Sequence, residues 1–503
     1  MRGTVEEVEE VDALVVGGGV AGLTAAWELA RAGRHPLLVE ARGYTGGLVA
    51  GGTVGGVELD LGAEAFVLRG DAVTSMVSEL GLEVLAPAGG GARLFLPPLD
   101  RDTGAWALHR FPADSFLGIP ARPLAADVVA VIGQEAAERA ALDAELGGEV
   151  GVSDATPSDL ASFVTARMGH GVLDRLVRPI VAGIHTSDPS VLDSDTVAPG
   201  LREDTRRLGS LAAAVAERRA RQARAGTPRA VDVTTAGGLF RLPRALVPAI
   251  EAAGGQVLTR TGAQAIRPAG PPSTDLWEVD LAPTGRGATP SAEPVATGPA
   301  RTVRTRRLVL ACSAGAALRL LEGAPGVDTG LEVPVGSPIA RLTLVVRAPE
   351  LDRGPVGSGL LVAPPSDRNC PVQAKALSHL SVKWPWVGEA AVAAHGAGAQ
   401  VLRLSYGRPG EPYPQVDLDR ALADVAVLTG VEVAAADVLD SLLVRWDGTL
   451  PPFTPAYRAR TRRLVTEAHS RPGLAVCGAW VAGAGIGATV TQARVQAVRL
   501  AEH

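Results

Sequence analysis

VDALVVGGGVAGLTAAWELARAGRHPLLVE, the stretch from Val11 to Glu40, decides the fold. Small apolar residues lead into Gly17, Gly18 and Gly19, with Val20, Ala21 and Gly22 completing a G-x-G-x-x-G spacing. A helical pattern follows, and a second apolar run, Pro36 to Val39, ends on the carboxylate of Glu40. The order is strand, glycine turn, helix, strand, acid. Gly17 permits a tight turn, Gly19 lets the backbone approach a pyrophosphate, and Gly22 lets the helix pack close to the strand. The helix N-terminus offers unbonded N–H groups and a positive dipole end to phosphates. Glu40 stands where an acid bonds a ribose hydroxyl pair. Glycine makes up 60 of 503 residues, so the spacing alone carries little weight; the strand, helix and acid around it predict a dinucleotide site.

Composition sets the bounds. A length of 503 residues with 47% apolar content allows two to four domains with ample cores. A net charge of −6 gives a nucleic-acid partner no electrostatic support. Cys312, Cys370 and Cys477 are far apart and form no C-x-x-C pair, so neither a metal site nor a redox dithiol is expected, and each reads as a buried thiol. So few cysteines fit a reducing cytoplasm. The acidic start, MRGTVEEVEEV, does not read as a signal peptide. Pro472 to Ala493 is uncharged, but its five glycines suit strand, turn and helix start better than a membrane span.

Further along, Leu124 to Leu146 and Pro157 to Val181 read as helices, the second capped by Ser158 or Asp159. Leu201 to Arg224 reads as one long arginine-bearing helix: either a solvated face, or a contact with anionic lipid headgroups or a partner protein. Gln256 to Ile266 and Thr302 to Ala311 read as strands, and Ala282 to Ala300 as an exposed, poorly ordered loop. Strand patterns recur at Ala340 to Arg347, Gly359 to Val362, Ala374 to Val382 and Val401 to Tyr406, as in a mostly antiparallel sheet walling a cavity. The chain closes with a strand at Leu474 to Cys477, a glycine turn and a helix from about Ile486. A C-terminal strand delivering a glycine-rich helix start suits a flavin, because the helix dipole can stabilise negative charge on the reduced ring.

The chain resembles the flavin amine oxidase superfamily and, within it, the porphyrinogen oxidases of haem synthesis. The resemblance is carried in order by VVGGGVAGLTAAWELARAG, VEARGYTGGLV, ELDLGAEAFVLR, DLASFVTARMGHGVLDRLVRPIVAGIHTSDP, GSLAAAVAERRARQ with TTAGGLFRLPRAL, SVKWPW (likened to a family strand), VRWDGTLPPFTPAYRAR and GAWVAGAGIGATVTQA. It implies an α/β fold. A discontinuous Rossmann-like FAD-binding domain of glutathione-reductase type would join an antiparallel-sheet substrate domain and a helical subdomain. The expected divisions are 9–98, 230–325 and 441–503 for FAD, 99–229 for the helical part and 326–440 for the substrate sheet.

Carried across by position, FAD contacts fall on Gly17, Gly18, Gly19, Val20, Ala21, Gly22, Glu40, Ala41, Arg42, Gly46 and Gly47. Further contacts fall on Gly62, Ala63, Glu64, Ala65, Ala263, Trp446, Ala484, Gly485 and Ile486. Val49-Ala50, His185 and Phe453 depart from the family pattern, the last two beside the expected substrate pocket. The resemblance implies oxygen-dependent oxidation of a porphyrinogen, favouring coproporphyrinogen III, by three hydride transfers with release of hydrogen peroxide. It also suggests hand-over of the product to the next haem-pathway enzyme, in the cytoplasm or at the inner face of the membrane. Propionates need cations, and Arg69, Arg178 and Lys383 are the candidates. His185 is a candidate base by position, with a structural histidine the alternative. Other readings are a protoporphyrinogen IX oxidase, an amine oxidase or desaturase, and a non-catalytic FAD-binding paralogue.

Overall fold

A computed structural model describes residues 9–502 apart from 69–70, 89, 101–103, 154, 225–231, 272–274, 290–291, 365–368, 447–450 and 484. At its centre lies a five-stranded parallel sheet, ordered Gln256–Thr259, Pro36–Glu40, Ala13–Val16, Leu308–Leu310, Leu474–Val476. Its inner strands are apolar along their whole length because both faces are covered. One face carries the helices Val20–Arg31, Arg241–Ala252 and Ile486–Ala501, through Leu23, Trp27, Leu246, Ile250, Val490 and Ala493. The other face carries an antiparallel sheet, Thr261–Pro268, Trp277–Gly285 and Arg301–Thr305, together with the helices Ala314–Leu321 and Pro455–His469.

Two stretches expected as single strands are each divided between these sheets. Gln256–Thr259 ends at Arg260, whose φ of 53° turns the chain before Thr261–Pro268. Arg301–Thr305 and Leu308–Leu310 are separated in the same way, by two residues. The expected loop from Ala282 begins later. Trp277–Gly285 runs on as a ribbon and pairs with Val295–Ala296, because Thr284 is anchored by N–H donation to Arg260 O at 2.8 Å and Oγ1 donation to Ala41 O at 2.6 Å.

A second sheet has seven strands, ordered Val438–Trp446, Ile339–Arg347, Ala399–Tyr406, Ala376–His379, Gly359–Val362, Arg93–Leu96, Ala107–Arg110. Its pairings are antiparallel except where Gly359–Val362 meets Arg93–Leu96. Leu418–Thr429 covers one face, where Leu342, Leu344, Leu402 and Leu404 meet Ala421 and Val425. The hairpin Gly51–Val54/Val57–Asp60 and the helix Pro385–His395 pack through Val345 and Val401 on the other. Val438–Trp446 pairs along its length with Ile339–Arg347, so the division expected at 440/441 falls inside a sheet strand. SVKWPW is not a strand: Leu380–Lys383 is a helical turn and Pro385 occupies the first turn of the next helix, where its fixed φ is pre-set.

The helical region is cut by glycines. Gly133, at φ 84°, separates Ala126–Ile132 from Gln134–Ala141, and Gly209, at φ 76°, separates Leu201–Leu208 from Leu211–Arg224, where single helices were expected. Asp159 caps Leu160–Met168 by accepting from Ser162 N at 2.8 Å. The fully buried Arg167 donates from Nε to Asp143 Oδ1 at 2.5 Å and from Nη2 to Gly209 O at 2.8 Å, while Asp143 accepts from Ser210 Oγ and Ala212 N. The arginine run is largely matched by the chain's own acids: Arg207 by Asp204 and Glu217, Arg221 by Asp204, and Arg206 by Glu149. That pairing favours a structured helix face over an anion-binding one. Among the described residues no helix is long and apolar enough to cross a membrane. Cys477 is buried; Cys312 and Cys370, expected to be buried too, are half-buried.

Candidate cofactor and substrate site

The three glycines of the opening turn do different things. Gly17 has φ 112° and donates to Val39 O at 2.8 Å, and a β-carbon there would lie 2.7 Å from the Ala311 backbone. A β-carbon on Gly22 would lie 1.8 Å from Gly17 O, so this glycine lets helix and turn touch. At Gly19 a β-carbon would meet nothing within 4 Å. Gly19 is also the N-cap of Val20–Arg31 and makes no side-chain cap, so the first N–H groups of the helix face that open space. The geometry is that of a phosphate cradle.

Glu40 stands at the end of the neighbouring strand. Its Oε2 accepts from Gly18 N and its Oε1 from Arg42 N, each at 2.6 Å. Burial holds its carboxyl above the ordinary range, opposed by these two N–H donors. Gly46 donates to Gly18 O at 2.7 Å, and Gly47 lies against Gly19, which brings the second glycine pair beside the first. Gly262 stands against Ala41, and its strand neighbour Ala263 is half-buried against the core that includes Val39.

A second helix N-terminus opens near the first. Ile486–Ala501 starts from Gly485, again without a side-chain cap, and β-carbons on Gly483 or Gly485 would meet nothing within 4 Å. This helix packs on Val20–Arg31, with Arg494 Nε and Glu28 Oε1 2.6 Å apart. Ala484 lies outside the described residues. Two uncapped helix starts facing free space, one beside a strand-end carboxylate, fit the donor set of a flavin dinucleotide.

The Gly62–Ala65 segment ties the cradle to the seven-stranded sheet. Arg341 Nη1 donates to Gly62 O, and Arg403 Nη2 donates to Asp60 O. Glu64 accepts from Lys383 Nζ at 2.9 Å and from Arg403 Nη1 at 2.9 Å. Though buried, its carboxyl is pulled down to about 2 by Lys383, Arg403 and Arg341. Asp60 accepts from Leu239 N at 3.0 Å and Phe240 N at 2.7 Å; burial raises its carboxyl to about 7. Trp446 ends the edge strand of the sheet, opposite Ile339, with no partner for its indole Nε1.

The predicted substrate cations are mostly engaged elsewhere. Lys383 lies between Glu64 and Asp232, at 2.9 and 3.1 Å. Arg178 pairs with Asp174 and Asp188. Arg69 lies outside the described residues. His185 ends the helix Arg178–His185, half-buried and engaged with its surroundings. Phe453 is buried in the core, edge-on against Tyr457, with ring centroids 5.4 Å apart. Val49 is buried in the core under the cradle. The cations that line the sheet, Arg341, Lys375, Arg403 and Arg408, were not predicted. The available signal was a charge inside a strand that is otherwise apolar, as in IARLTLVV and AQVLRLSY.

Comparison with known proteins agrees with this architecture. The model of the family described as flavin containing amine oxidoreductase matches residues 20–320, and the chain belongs to that family. FAD is its cofactor. Over 494 residues it is 28% identical to a coproporphyrinogen III oxidase of Mycobacterium tuberculosis (strain ATCC 25618 / H37Rv), covering 95% of this chain and 94% of that one. It is also 28% identical over 520 residues to the coproporphyrinogen III oxidase of Propionibacterium freudenreichii subsp. freudenreichii, covering 96% and 89%. Among solved structures, a protein named "Putative protoporphyrinogen oxidase" from Exiguobacterium sp. 255-15 superposes with a TM-score of 0.73 at 19% identity, covering 98% of this chain and 99% of that one.

Proposed function

We propose that the chain is an FAD-dependent oxidase that converts coproporphyrinogen III to coproporphyrin III. The observation that carries this reading is the end-to-end similarity to coproporphyrinogen III oxidases: a relative matched only through the dinucleotide cradle would share its first strands and no more.

The chemistry asks little of the side chains beyond placement. Bound FAD would accept two electrons in each of three oxidations, with three molecules of oxygen reduced to three of hydrogen peroxide as the macrocycle loses six hydrogens. The helix starts at Gly19 and Gly485 would hold the anionic parts of the cofactor, and Glu40 the ribose. Gly17, Gly18, Val20, Ala21, Gly22, Ala41, Arg42, Gly46, Gly47, Gly62 to Ala65, Ala263, Trp446 and Ala484 to Ile486 are read as its further contacts. Arg341 and Arg403 fix the Gly62–Ala65 segment by holding carbonyls and Glu64. His185 is read as structural. Three strands aside, we read 9–98, 230–325 and 441–503 as flavin-binding parts, 99–229 as the helical part and 326–440 as the substrate sheet. The strands Arg93–Leu96, Ala107–Arg110 and Val438–Trp446 are reassigned to that sheet. Action in the cytoplasm, close to the membrane and to the enzyme that takes the product, completes the reading.

The test is oxygen uptake by the FAD-loaded protein with coproporphyrinogen III, followed by peroxide release and the porphyrin Soret band. Three oxygens per porphyrin are expected. No porphyrin above the autoxidation rate, with FAD bound, would overturn the proposal. Faster turnover of protoporphyrinogen IX would reassign the substrate.

A further inference from the structure

Only two of the chain's 48 basic residues are lysines, Lys375 and Lys383. They are eight positions apart, on either side of the strand Ala376–His379, and their surroundings are opposite. Lys383 lies between two carboxylates. Lys375 is 8% exposed, and its Nζ has no hydrogen-bond partner. Its main chain is fixed on both sides: Lys375 N donates to Ser405 O at 2.8 Å, and Lys375 O accepts from Val362 N at 2.9 Å.

Register then brings two guanidinium groups to it. Ser405, which holds the Lys375 amide, is paired across the next strand with Arg341. Two strand spacings, about 10 Å, therefore separate the Lys375 and Arg341 backbones. Arg408, three residues past Ser405, is 8% exposed; its Nη1 donates to Gln373 O at 3.4 Å and its Nη2 has no partner. Arg341 Nε is also without one. The charges felt at Lys375 are Arg341 and Arg408, opposed by Glu411. Asp424, the nearby buried acid, already accepts from Gln373 N and Ala374 N. Burial and the two guanidinium groups push the Lys375 amine down to about 7. Two buried cations and a half-buried third, all with open donors, are costly unless an anion joins them. Arg341 bonds Gly62 O, so the group adjoins the segment read as running beside the flavin.

We propose that Lys375, with Arg341 and Arg408, forms a subsite that takes a carboxylate of the substrate. Its place in catalysis rests on the porphyrinogen reading, where the carboxylate is a propionate. The subsite anchors one edge of the macrocycle on the sheet wall, while the predicted Lys383 serves the Glu64 network instead.

Two measurements on the FAD-loaded full chain test it. In steady state, Lys375→Met should raise KM for coproporphyrinogen III at least tenfold while kcat falls far less, and Lys375→Arg should recover most of the loss. An unchanged KM in an active Lys375→Met enzyme with full FAD content overturns the proposal. The second measurement needs no turnover. With 13Cε-lysine the chain gives two lysine ε-carbon signals, assigned by the same variants. Coproporphyrin III should move the Lys375 signal and raise its titration midpoint, and its tetramethyl ester should do neither. A Lys375 signal indifferent to the acid and to 50 mM acetate (the simplest carboxylate probe) overturns the subsite. A shifted signal in a protein that oxidises no porphyrinogen keeps the subsite and sinks the function.

Discussion

Arg403 Nη1 donates to Glu64 Oε2 at 2.9 Å across 339 residues of chain, and Lys383 Nζ takes the other oxygen of the same carboxylate at the same distance. One buried acid therefore joins the segment after the Val57–Asp60 strand to the middle of the seven-stranded sheet. Replacing Glu64 by Gln would leave two buried cations facing a neutral amide. The expected loss is about 3–5 kcal/mol of stability, the usual cost of breaking one side of a buried ion pair. Urea unfolding of the apoprotein measures it, and a loss below about 1 kcal/mol would mean that water already screens the group.

The same carboxylate sets an acid limit. Its folded-state value, about 2, lies below the ordinary glutamate value of 4.5. Its contribution is therefore complete above about pH 5 and is lost as the pH falls from 4.5 through 2. Stability against pH should fall steeply there in the parent and less steeply in Glu64→Gln.

Asp60 should act with the opposite sign. Its carboxyl is raised from 3.8 to about 7, so the folded state holds the proton more tightly than the unfolded chain does. That contribution is fully present below about pH 4 and disappears as the pH rises through 7. Asp60→Asn should flatten stability between pH 4 and 7. A parent curve already flat in that window would count against the assignment.

The glycines of the opening turn offer a paired experiment. Gly19→Ala places its methyl in open space, so the apoprotein should fold with parent stability while FAD affinity falls by about a hundredfold. Gly22→Ala places its methyl 1.8 Å from Gly17 O and should destabilise the fold itself. Flavin titration and apoprotein melting, run on both variants, separate the two. Equal behaviour in both measurements would show that the glycines share one role.

Glu40→Gln removes a charge that holds the Gly18 N–H of the turn and the Arg42 N–H after the strand. Charge-assisted hydrogen bonds are worth about 1.5–3 kcal/mol each, so FAD affinity should drop at least tenfold. Isothermal titration of the apoprotein with FAD gives the number.

How far the sequence could be read depended on the range of the interactions. The cradle was legible because Gly17 to Glu40 is local: strand, turn, helix and acid follow one another without interruption. The glycine-cut helices were missed because Gly133 and Gly209 sit inside runs of good helix formers, where composition over a window hides one positive φ. Arg260 was missed because nothing about an arginine announces φ 53°. Lys383 was read as a candidate substrate cation, and its pairing with Glu64 and Asp232 could not be foreseen because those acids reach it only through the tertiary fold. Lys375 went unremarked for the converse reason: what distinguishes it is a buried amine without a hydrogen-bond partner, a property of the packed sheet.

The central parallel sheet draws on residues 13–16, 36–40, 256–259, 308–310 and 474–476, and its second helix start comes at Ile486. The consequence is one of timing during synthesis. A ribosome-bound chain that has displayed Gly17 to Gly22 still lacks the other half of its cradle until Ile486 has emerged. Tight flavin retention therefore waits for synthesis of the whole span from Gly17 to Ile486, and a nascent chain cut short of that helix should stay colourless.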